Sequence, residues 1–266
     1  MDDTTLLLLS LIQGLTEFLP ISSSGHLILA PIVFEFKDQG LILDAILHLG
    51  TLLAIIIFFR RDLSKLLFSL FDRHSDPAMN RLAWYILIAT LPAGLAGLLW
   101  NEQIETHLRN PSFVAWNMLF WSLVFLVSDR WAYRKRRPDL GIKDLTLGQV
   151  LWVGVAQAMA LLPGTSRSGV TMAAGLFSRL SHTTAARFSF LLGTPIILAA
   201  GLYELGAFFS LPPDHMAYTP AQLGMGFLVT FGVGYLAIKV LLEIVSRLGL
   251  LPFILYRAVL ATAILL

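Results

Sequence analysis

The stretch Gln13-Gly14-Leu15-Thr16-Glu17-Phe18-Leu19-Pro20-Ile21-Ser22-Ser23-Ser24-Gly25-His26 places polar and helix-breaking residues inside an apolar segment that spans 5–36. A second apolar segment, 147–178, is interrupted in the same manner by Pro163-Gly164-Thr165-Ser166-Arg167-Ser168-Gly169. Each half of these segments is too short or too polar to cross a bilayer. Irregular backbone at membrane depth is tolerated only where protein buries it or where it lines a wet cavity. Both segments are therefore predicted to be re-entrant helical hairpins.

The composition around these hairpins is that of a membrane protein. The chain has 266 residues, of which 56% are hydrophobic and only 14% are charged, whereas a soluble domain carries about a quarter charged residues. Six other stretches reach the roughly 20 apolar residues that a membrane-crossing helix needs. They are 42–59, 82–100, 112–130, 187–208, 220–243 and 250–266. The predicted fold is a single all-α polytopic membrane domain, 1–266, with six transmembrane helices and two re-entrant hairpins.

The two hairpins also indicate an internal repeat. Gln13, Pro20 and Gly25 recur as Gln157, Pro163 and Gly169 at an offset of about 144, and Leu49-Gly50-Thr51 recurs as Leu192-Gly193-Thr194 at an offset of 143. The predicted halves are about 1–140 and 141–266. Each half holds an odd number of crossings, so the second half is expected to be inverted relative to the first. Paired interruptions in an inverted repeat point to a binding site near the bilayer midplane.

Lysine and arginine are unevenly divided between the two sets of loops, and the side rich in them is normally cytoplasmic. Lys37 and Arg109 stand nearly alone on the poorer side, which also includes the loop 209–219. The basic side is thus predicted to be cytoplasmic, which places both termini outside. The two hairpins then enter the membrane from opposite sides, and their tips converge. The residues of the basic side are Arg60, Arg61, Lys65, Arg73, Arg81, Arg130, Arg134, Lys135, Arg136, Arg137, Lys143, Arg179, Arg187, Lys239 and Arg247.

Several classes of function are excluded by composition. The pI is near 9.0, but the basic residues lie in short loops and form no stripe, so a nucleic-acid partner is not expected. The chain has no cysteine, which excludes thiolate catalysis and cysteine-based metal sites. Asp2 and Asp3 stand where a signal peptide has a basic region, so a cleavable signal peptide is not expected.

Glu17 is the first candidate for chemistry, because a carboxylate within a membrane segment is costly and normally functional with a cationic partner. Gln13 precedes it by four residues, so both side chains share one helix face. The alternative for Glu17 is a helix cap or an ion pair with Arg167. The alternative for Gln13 is a hydrogen bond between helices.

The run from Ser22 to His26 supplies three hydroxyls, a glycine and an imidazole at the expected start of a helix, where free N–H groups favour phosphate. A serine N-cap would account for one hydroxyl but not for His26, for which a catalytic role is favoured over a structural one. The second turn repeats this design with Arg167, whose guanidinium can bind two phosphate oxygens. Thr171 follows Ser168 by one helical turn and either adds a hydroxyl or packs.

These two motifs resemble the signature motifs of the undecaprenyl pyrophosphate phosphatases, also known as bacitracin-resistance proteins, and the resemblance covers nearly the whole chain. It implies a Glu/Gln-x-x-x-Glu element at Gln13 and Glu17, a candidate nucleophile at Ser23, and a histidine of the family type at His26. Glutamine at position 13 weakens any scheme in which two carboxylates hold a metal ion. The second motif would supply Ser166, Arg167, Ser168 and Thr171.

The reaction implied by the resemblance is hydrolysis of undecaprenyl pyrophosphate to the monophosphate, which recycles the lipid carrier for cell-wall synthesis in the bacterial inner membrane. Arg167 would bind the pyrophosphate, and Glu17 with Gln13 would hold a divalent cation, Mg²⁺ or Ca²⁺. Ser23 or a water would attack, with His26 as the acid/base group, and the spacing leaves open whether His26 or Ser23 attacks first. The other expected phosphate-binding residues are Ser22, Ser24, Ser166, Ser168 and Thr171.

Two further expectations concern partners and an alternative function. The expected partners are the prenyl pyrophosphate lipid and the bilayer, and the site should open to the external side. The sequence leaves a monomer and a homodimer both open. The rival hypothesis is a lipid flippase or transporter, because inverted repeats with broken helices are a transporter design.

Overall fold

The computed structural model describes residues 2–37, 39–72, 76–134, 139–209 and 218–266. These residues form α-helices joined by short turns, two of them 3₁₀ turns at Ile142–Asp144 and Met159–Leu161. The helices are α1 (Asp3–Thr16), α2 (Ser23–Val33), α3 (Gly40–Phe58), α4 (Arg60–Phe71), α5 (Pro77–His107), α6 (Pro111–Arg134), α7 (Leu147–Ala158), α8 (Arg167–Phe177), α9 (His182–Phe209), α10 (Pro220–Leu248) and α11 (Leu251–Leu265).

Four segments are long and apolar enough to cross a membrane: Pro77–His107, Pro111–Arg134, His182–Tyr203 and Pro220–Leu248. A fifth is obtained if the bent pair formed by α3 and α4 is counted as one span. Apolar side chains such as Leu98 on α5 and Val259 on α11 remain exposed, as expected for helices that face lipid. The predicted class, an all-α polytopic membrane protein, is confirmed.

The boundaries of two predicted spans differ from those of the helices. The span predicted at 250–266 corresponds to α11, which has 15 residues and falls short of the roughly 20 that a perpendicular crossing needs. After the span predicted at 42–59, the chain turns by 84° into α4, a helix that the sequence analysis did not predict. Arg60, Arg61 and Lys65 end the apolar run there, while Phe68 and Phe71 form an apolar face on the same helix.

The two predicted interruptions are present. The first apolar segment is divided into α1 and α2, and the second into α7 and α8, and in each case the two short helices pack against each other. The tips of the two turns meet, because Ser168 Oγ donates to the Leu19 carbonyl at 3.2 Å. Gly25 faces Gly164 across this junction and leaves space for the close approach.

The two turns have the same local geometry. Ser22 has φ 76° and ψ 94°, and Ser166 has φ 76° and ψ 107°, a region that residues other than glycine rarely adopt. Each serine caps the following helix, since its Oγ accepts from the backbone N–H three residues later, at 3.3 Å from Gly25 and 3.2 Å from Gly169. Strain of this type persists only where the surrounding structure holds it, and it is concentrated at functional sites.

The remaining helices hold the two hairpins together. Helices α1 and α3 pack against α10, while α7 and α9 pack against α5, and α6 packs against α11. The largest core cluster includes Phe18, Phe125, Phe188 and Phe190, all fully buried. Phe18 directly follows Glu17 in the sequence, so this core fixes the backbone that carries the carboxylate.

Candidate functional site

Glu17 lies at the centre of the site with only 7% of its surface exposed. Its Oε1 accepts from Arg167 Nη2 at 2.7 Å, and its Oε2 accepts from Ser23 Oγ at 2.7 Å and from Gln13 Nε2 at 3.1 Å. His48 Nε2 lies 3.5 Å from the same Oε2. The carboxylate therefore joins a hydroxyl and a guanidinium that belong to different hairpins.

Arg167 is the cation that pairs with Glu17, but it retains unused donor capacity. Its Nη1 is buried and has no hydrogen-bond partner among the described residues. The guanidinium lies against Gly193, where a Cβ atom would overlap with Nη1. Gly50, the counterpart of Gly193 in the sequence repeat, has a different role, since its Cβ would lie 2.7 Å from the Phe227 carbonyl at a close helix contact.

These groups line a cavity of about 210 Å³ with two chemically distinct parts. Its polar part is made of Glu17, Ser22, Ser23, Ser24, His48, Gln157, Ser166 and Arg167. Its apolar part is made of Ala93, Ala160, Leu161, Ile196, Ile197, Ala200 and Gly201. A cavity of this composition suits a ligand with an anionic head and an apolar tail.

His26 is not among the residues that line this cavity. Its Nδ1 lies 2.7 Å from the Ser22 carbonyl, which can only accept, so Nδ1 carries the proton. Its Nε2 lies 2.7 Å from the Tyr256 hydroxyl on α11. Although His26 is one helical turn from Ser23, its ring is directed to α11, and both nitrogens have protein partners. The structure thus does not bring the predicted acid/base group to the nucleophile candidate.

His48 on α3 is the imidazole that does line the cavity, and the sequence analysis did not select it. Its Nδ1 lies 2.7 Å from the Asp44 carbonyl, which fixes the proton on Nδ1 and directs Nε2 to Glu17. The available signal was a titratable side chain within an apolar span, which defaults to a functional interpretation.

In the second turn, Ser166 and Arg167 line the cavity, whereas Ser168 and Thr171 do not. The Ser168 hydroxyl contacts the first turn, as described above. Thr171 Oγ1 donates to the Arg167 carbonyl at 2.7 Å and lies 2.6 Å from Ser189 Oγ. Of the two uses predicted for Thr171, packing of the scaffold is therefore the one that these contacts support.

Arg257 on α11 is a second residue that the sequence analysis did not select. It is fully buried, and its Nη2 donates to the Gly164 carbonyl at 2.8 Å and to the Met118 carbonyl at 3.1 Å. The neighbouring Tyr256 binds His26 of the first hairpin. Two consecutive residues of α11 thus hold the turns in place: Tyr256 contacts the first hairpin and Arg257 contacts the second turn.

The side chains available for a cation are few. No group of three or more His, Asp or Glu side chains suited to a metal ion occurs in the described ranges. However, Gln13 Oε1 is buried without a hydrogen-bond partner in the part of the chain that the structure describes, and it belongs to the side chain that contacts Glu17. Mg²⁺ is commonly bound through one or two carboxylates and takes its other ligands from water and substrate phosphates, so the Glu17 carboxylate fits, with Gln13 Oε1 as a further oxygen donor.

The fold and the site together define a polytopic membrane protein with a half-polar, half-apolar cavity built between two broken helical segments. The chain belongs to the family of the bacitracin resistance protein BacA, whose model matches residues 6–263. It is 41% identical over 264 residues to an undecaprenyl-diphosphatase of Teredinibacter turnerae, covering 98% of this chain and 97% of that protein. It is 42% identical over 269 residues to undecaprenyl-diphosphatase 2 of Stutzerimonas stutzeri, covering 100% of this chain and 98% of that protein.

Proposed function

We propose that this protein hydrolyses undecaprenyl pyrophosphate to undecaprenyl phosphate and inorganic phosphate. The observation that carries the proposal is the contact of Glu17 with both Ser23 and Arg167 inside a cavity that is polar on one side and apolar on the other. The relatives are named as phosphatases of this lipid, and they give no support to the rival transporter hypothesis.

Arg167 binds the diphosphate in this proposal. Without substrate, its Nη2 pairs with Glu17 and its Nη1 has no partner among the described residues. A diphosphate oxygen that enters the cavity can satisfy Nη1 and compete with the carboxylate for Nη2, since both are anions matched to the planar guanidinium. Ser22, Ser24 and Ser166 line the same cavity, and their hydroxyls can donate to the remaining oxygens.

Ser23 is the proposed nucleophile and Glu17 the base. Ser23 Oγ already donates to Glu17 Oε2 at 2.7 Å, so its proton has an acceptor when the oxygen attacks the terminal phosphorus. The P–O bond of the anhydride breaks, and undecaprenyl phosphate leaves as an anion. Water then hydrolyses the serine phosphoester, which releases inorganic phosphate and returns the proton to Ser23. His26 takes no part in this scheme, because its ring contacts Ser22 and Tyr256.

Glu17 and Gln13 would hold the divalent cation. Bound there with the substrate phosphates, Mg²⁺ or Ca²⁺ would supply neutralisation of the charge that accumulates on the diphosphate oxygens. The unpaired Gln13 Oε1 and the carboxylate of Glu17 are the oxygen donors that support this part of the proposal.

The proposed function is tested by release of inorganic phosphate from undecaprenyl pyrophosphate by purified protein in detergent. We expect release by the wild-type protein, loss of release with a chelator, and recovery when Mg²⁺ or Ca²⁺ is added in excess. A purified, folded protein that releases no phosphate with either cation would refute the activity. Full activity in the presence of the chelator would refute only the proposed requirement for a divalent cation, and not the hydrolytic activity.

We further propose that the chain is an inverted repeat with two re-entrant hairpins and six crossings made by α3, α5, α6, α9, α10 and α11. The matched serine turns support this arrangement. So does the exchange of packing partners, since α1 and α3 pack on α10 of the other half while α7 and α9 pack on α5. Local thinning of the bilayer would accommodate the short α11.

The proposed orientation places the basic loops in the cytoplasm, both termini outside and the cavity open to the external side of the inner membrane. Arg73 and Lys135–Arg137 of the basic side, and most of the loop 209–219, lie outside the described residues. A smaller cavity of about 140 Å³ supports an external opening, because it shares Ser24 and His48 with the site and extends to Arg109.

Orientation is tested by thiol labelling, because the chain has no cysteine of its own. Glu102 and Arg61 are exposed. Glu102 lies near the C-terminal end of α5, whereas α4, which carries Arg61, packs at the N-terminal end of α5, where Asn80 donates to the Ser69 carbonyl. In intact cells with a permeable outer envelope, an impermeant thiol reagent should label the Glu102→Cys variant and leave Arg61→Cys unlabelled until the inner membrane is opened. The reverse pattern would show that the orientation is inverted.

A further inference from the structure

Gln157 on α7 is a buried polar side chain that the proposed reaction has not used. Only 2% of its surface is exposed, and it lines the cavity together with Ser166 and Arg167. Neither its Nε2 nor its Oε1 has a hydrogen-bond partner among the residues that the structure describes. A buried amide with both polar atoms unsatisfied is destabilising, so its presence requires an explanation.

Two other glutamines show that this state is specific to Gln157. Gln13, at the corresponding position of the first hairpin, donates through Nε2 to Glu17. Gln149 lies on the same helix as Gln157, and its amide is fully used, since Oε1 accepts from Thr146 N–H at 2.9 Å and Nε2 donates to the Ser178 carbonyl at 3.0 Å. Of these three, Gln157 is the one that lines the cavity and whose Nε2 donor has no partner among the described residues.

We propose that Gln157 is a substrate-binding residue whose Nε2 donates a hydrogen bond to an oxygen of the diphosphate. This inference rests on the proposed function and extends it to a residue of the second hairpin outside the serine-arginine turn. An amide suits the position better than an acid would, because a carboxylate there would repel the diphosphate and compete for Arg167. The first hairpin thus supplies the nucleophile and base, and the second supplies Arg167 and Gln157 to hold the diphosphate.

The test is the Gln157→Leu variant, in which binding and stability are expected to respond in different directions. Removal of an unsatisfied buried amide should leave the melting temperature in detergent unchanged or higher. Loss of a hydrogen bond to a charged ligand should raise KM for undecaprenyl pyrophosphate about tenfold or more. The inhibition constant of inorganic pyrophosphate should rise by a similar factor, with a smaller change in kcat, because the contact exists before and during the reaction.

Gln149→Leu is the matched control, since it removes the same amide from the same helix where the amide is bonded to protein. It should lower the melting temperature and leave KM unchanged. Unchanged KM and pyrophosphate inhibition in folded Gln157→Leu would overturn the proposal.

Gln157→Glu provides a second measurement in case Gln157→Leu does not fold. It keeps the size of the side chain but replaces the donor with a charge, so its KM should rise further, and an unchanged KM would again overturn the inference. Stabilisation by inorganic pyrophosphate, compared between wild type and the Gln157 variants, tests the contact without turnover. A failure of wild-type hydrolysis is therefore distinguishable from a failure of the Gln157 contact.

Discussion

Replacement of Arg167 by lysine is expected to lower kcat/KM on the order of a hundredfold, although the positive charge is kept. The guanidinium donates through Nη2 to Glu17, and its buried Nη1 lies against Gly193 without a partner among the described residues, whereas an ammonium cannot match this planar pair of donors. A phosphoryl group misplaced by about 1 Å can cost a factor of this size. The measurement is steady-state phosphate release by variant and wild type at equal amounts of folded protein.

Gly193→Ala tests the phosphate-binding role of Arg167 without replacing Arg167 itself. The added Cβ would overlap with Nη1, so the guanidinium must move and activity should fall in parallel with Arg167→Lys. Gly232→Ala on α10 is the matched control, because no heavy atom lies within 4 Å of its added Cβ. If Arg167 were only a counter-ion for Glu17, the lysine variant would retain most of the activity, and that result would contradict the phosphate-binding role.

Glu17→Gln is expected to reduce kcat by about 10²- to 10⁴-fold, the usual range for loss of a positioned proton acceptor. Glutamine keeps the size of the side chain and can still contact Ser23, but it cannot take the serine proton or neutralise Arg167. Added Mg²⁺ or Ca²⁺ at modest excess should not restore turnover. The rate is measured as phosphate release, with the melting temperature in detergent as a check on folding.

Glu243→Gln is a matched control for that variant, because Glu243 also pairs with an arginine, Arg247, but on the surface. Exposed pairs of this kind contribute little to stability, so activity and melting temperature should remain near wild type. Near-normal turnover in folded Glu17→Gln would remove both the base and the cation-binding role from Glu17. In that case Ser23 would need another proton acceptor, and His48, which also lines the cavity, would be an alternative.

Features set by local chemistry could be predicted from the sequence. Pro20 and Pro163 each lack a backbone donor and precede a serine–glycine run that favours a capped turn, so both interruptions can be predicted, whereas Pro31, Pro92 and Pro195 lack such a run and lie inside helices. Glu17 and Arg167 were selected because charges within apolar segments are costly unless paired or functional. An ion pair between them is one of the alternatives that the sequence allows, and the structure contains it.

Features set by distant neighbours could not be predicted in this manner. His26 and His48 are both imidazoles within apolar segments, and only the position of Tyr256 and the backbone of α3 decide which ring faces Glu17. The 84° turn of the chain after Phe59 likewise depends on where Arg60 and Arg61 reach solvent in the folded protein. Hydropathy along the sequence does not define that position. The roles of Arg257 and Gln157 emerge only when helices far apart in the sequence are packed together.

The contacts of α11 have a consequence for the biosynthesis of the protein. Tyr256 and Arg257 fasten turns that were translated more than 90 residues earlier, at Gly164, and more than 200 residues earlier, at His26. Until α11 has been inserted, neither turn has its final anchor, and the diphosphate-binding groups are not held in register. The site is thus complete only after α11 has been synthesised and inserted, so a chain that lacks α11 would reside in the membrane without an assembled catalytic centre.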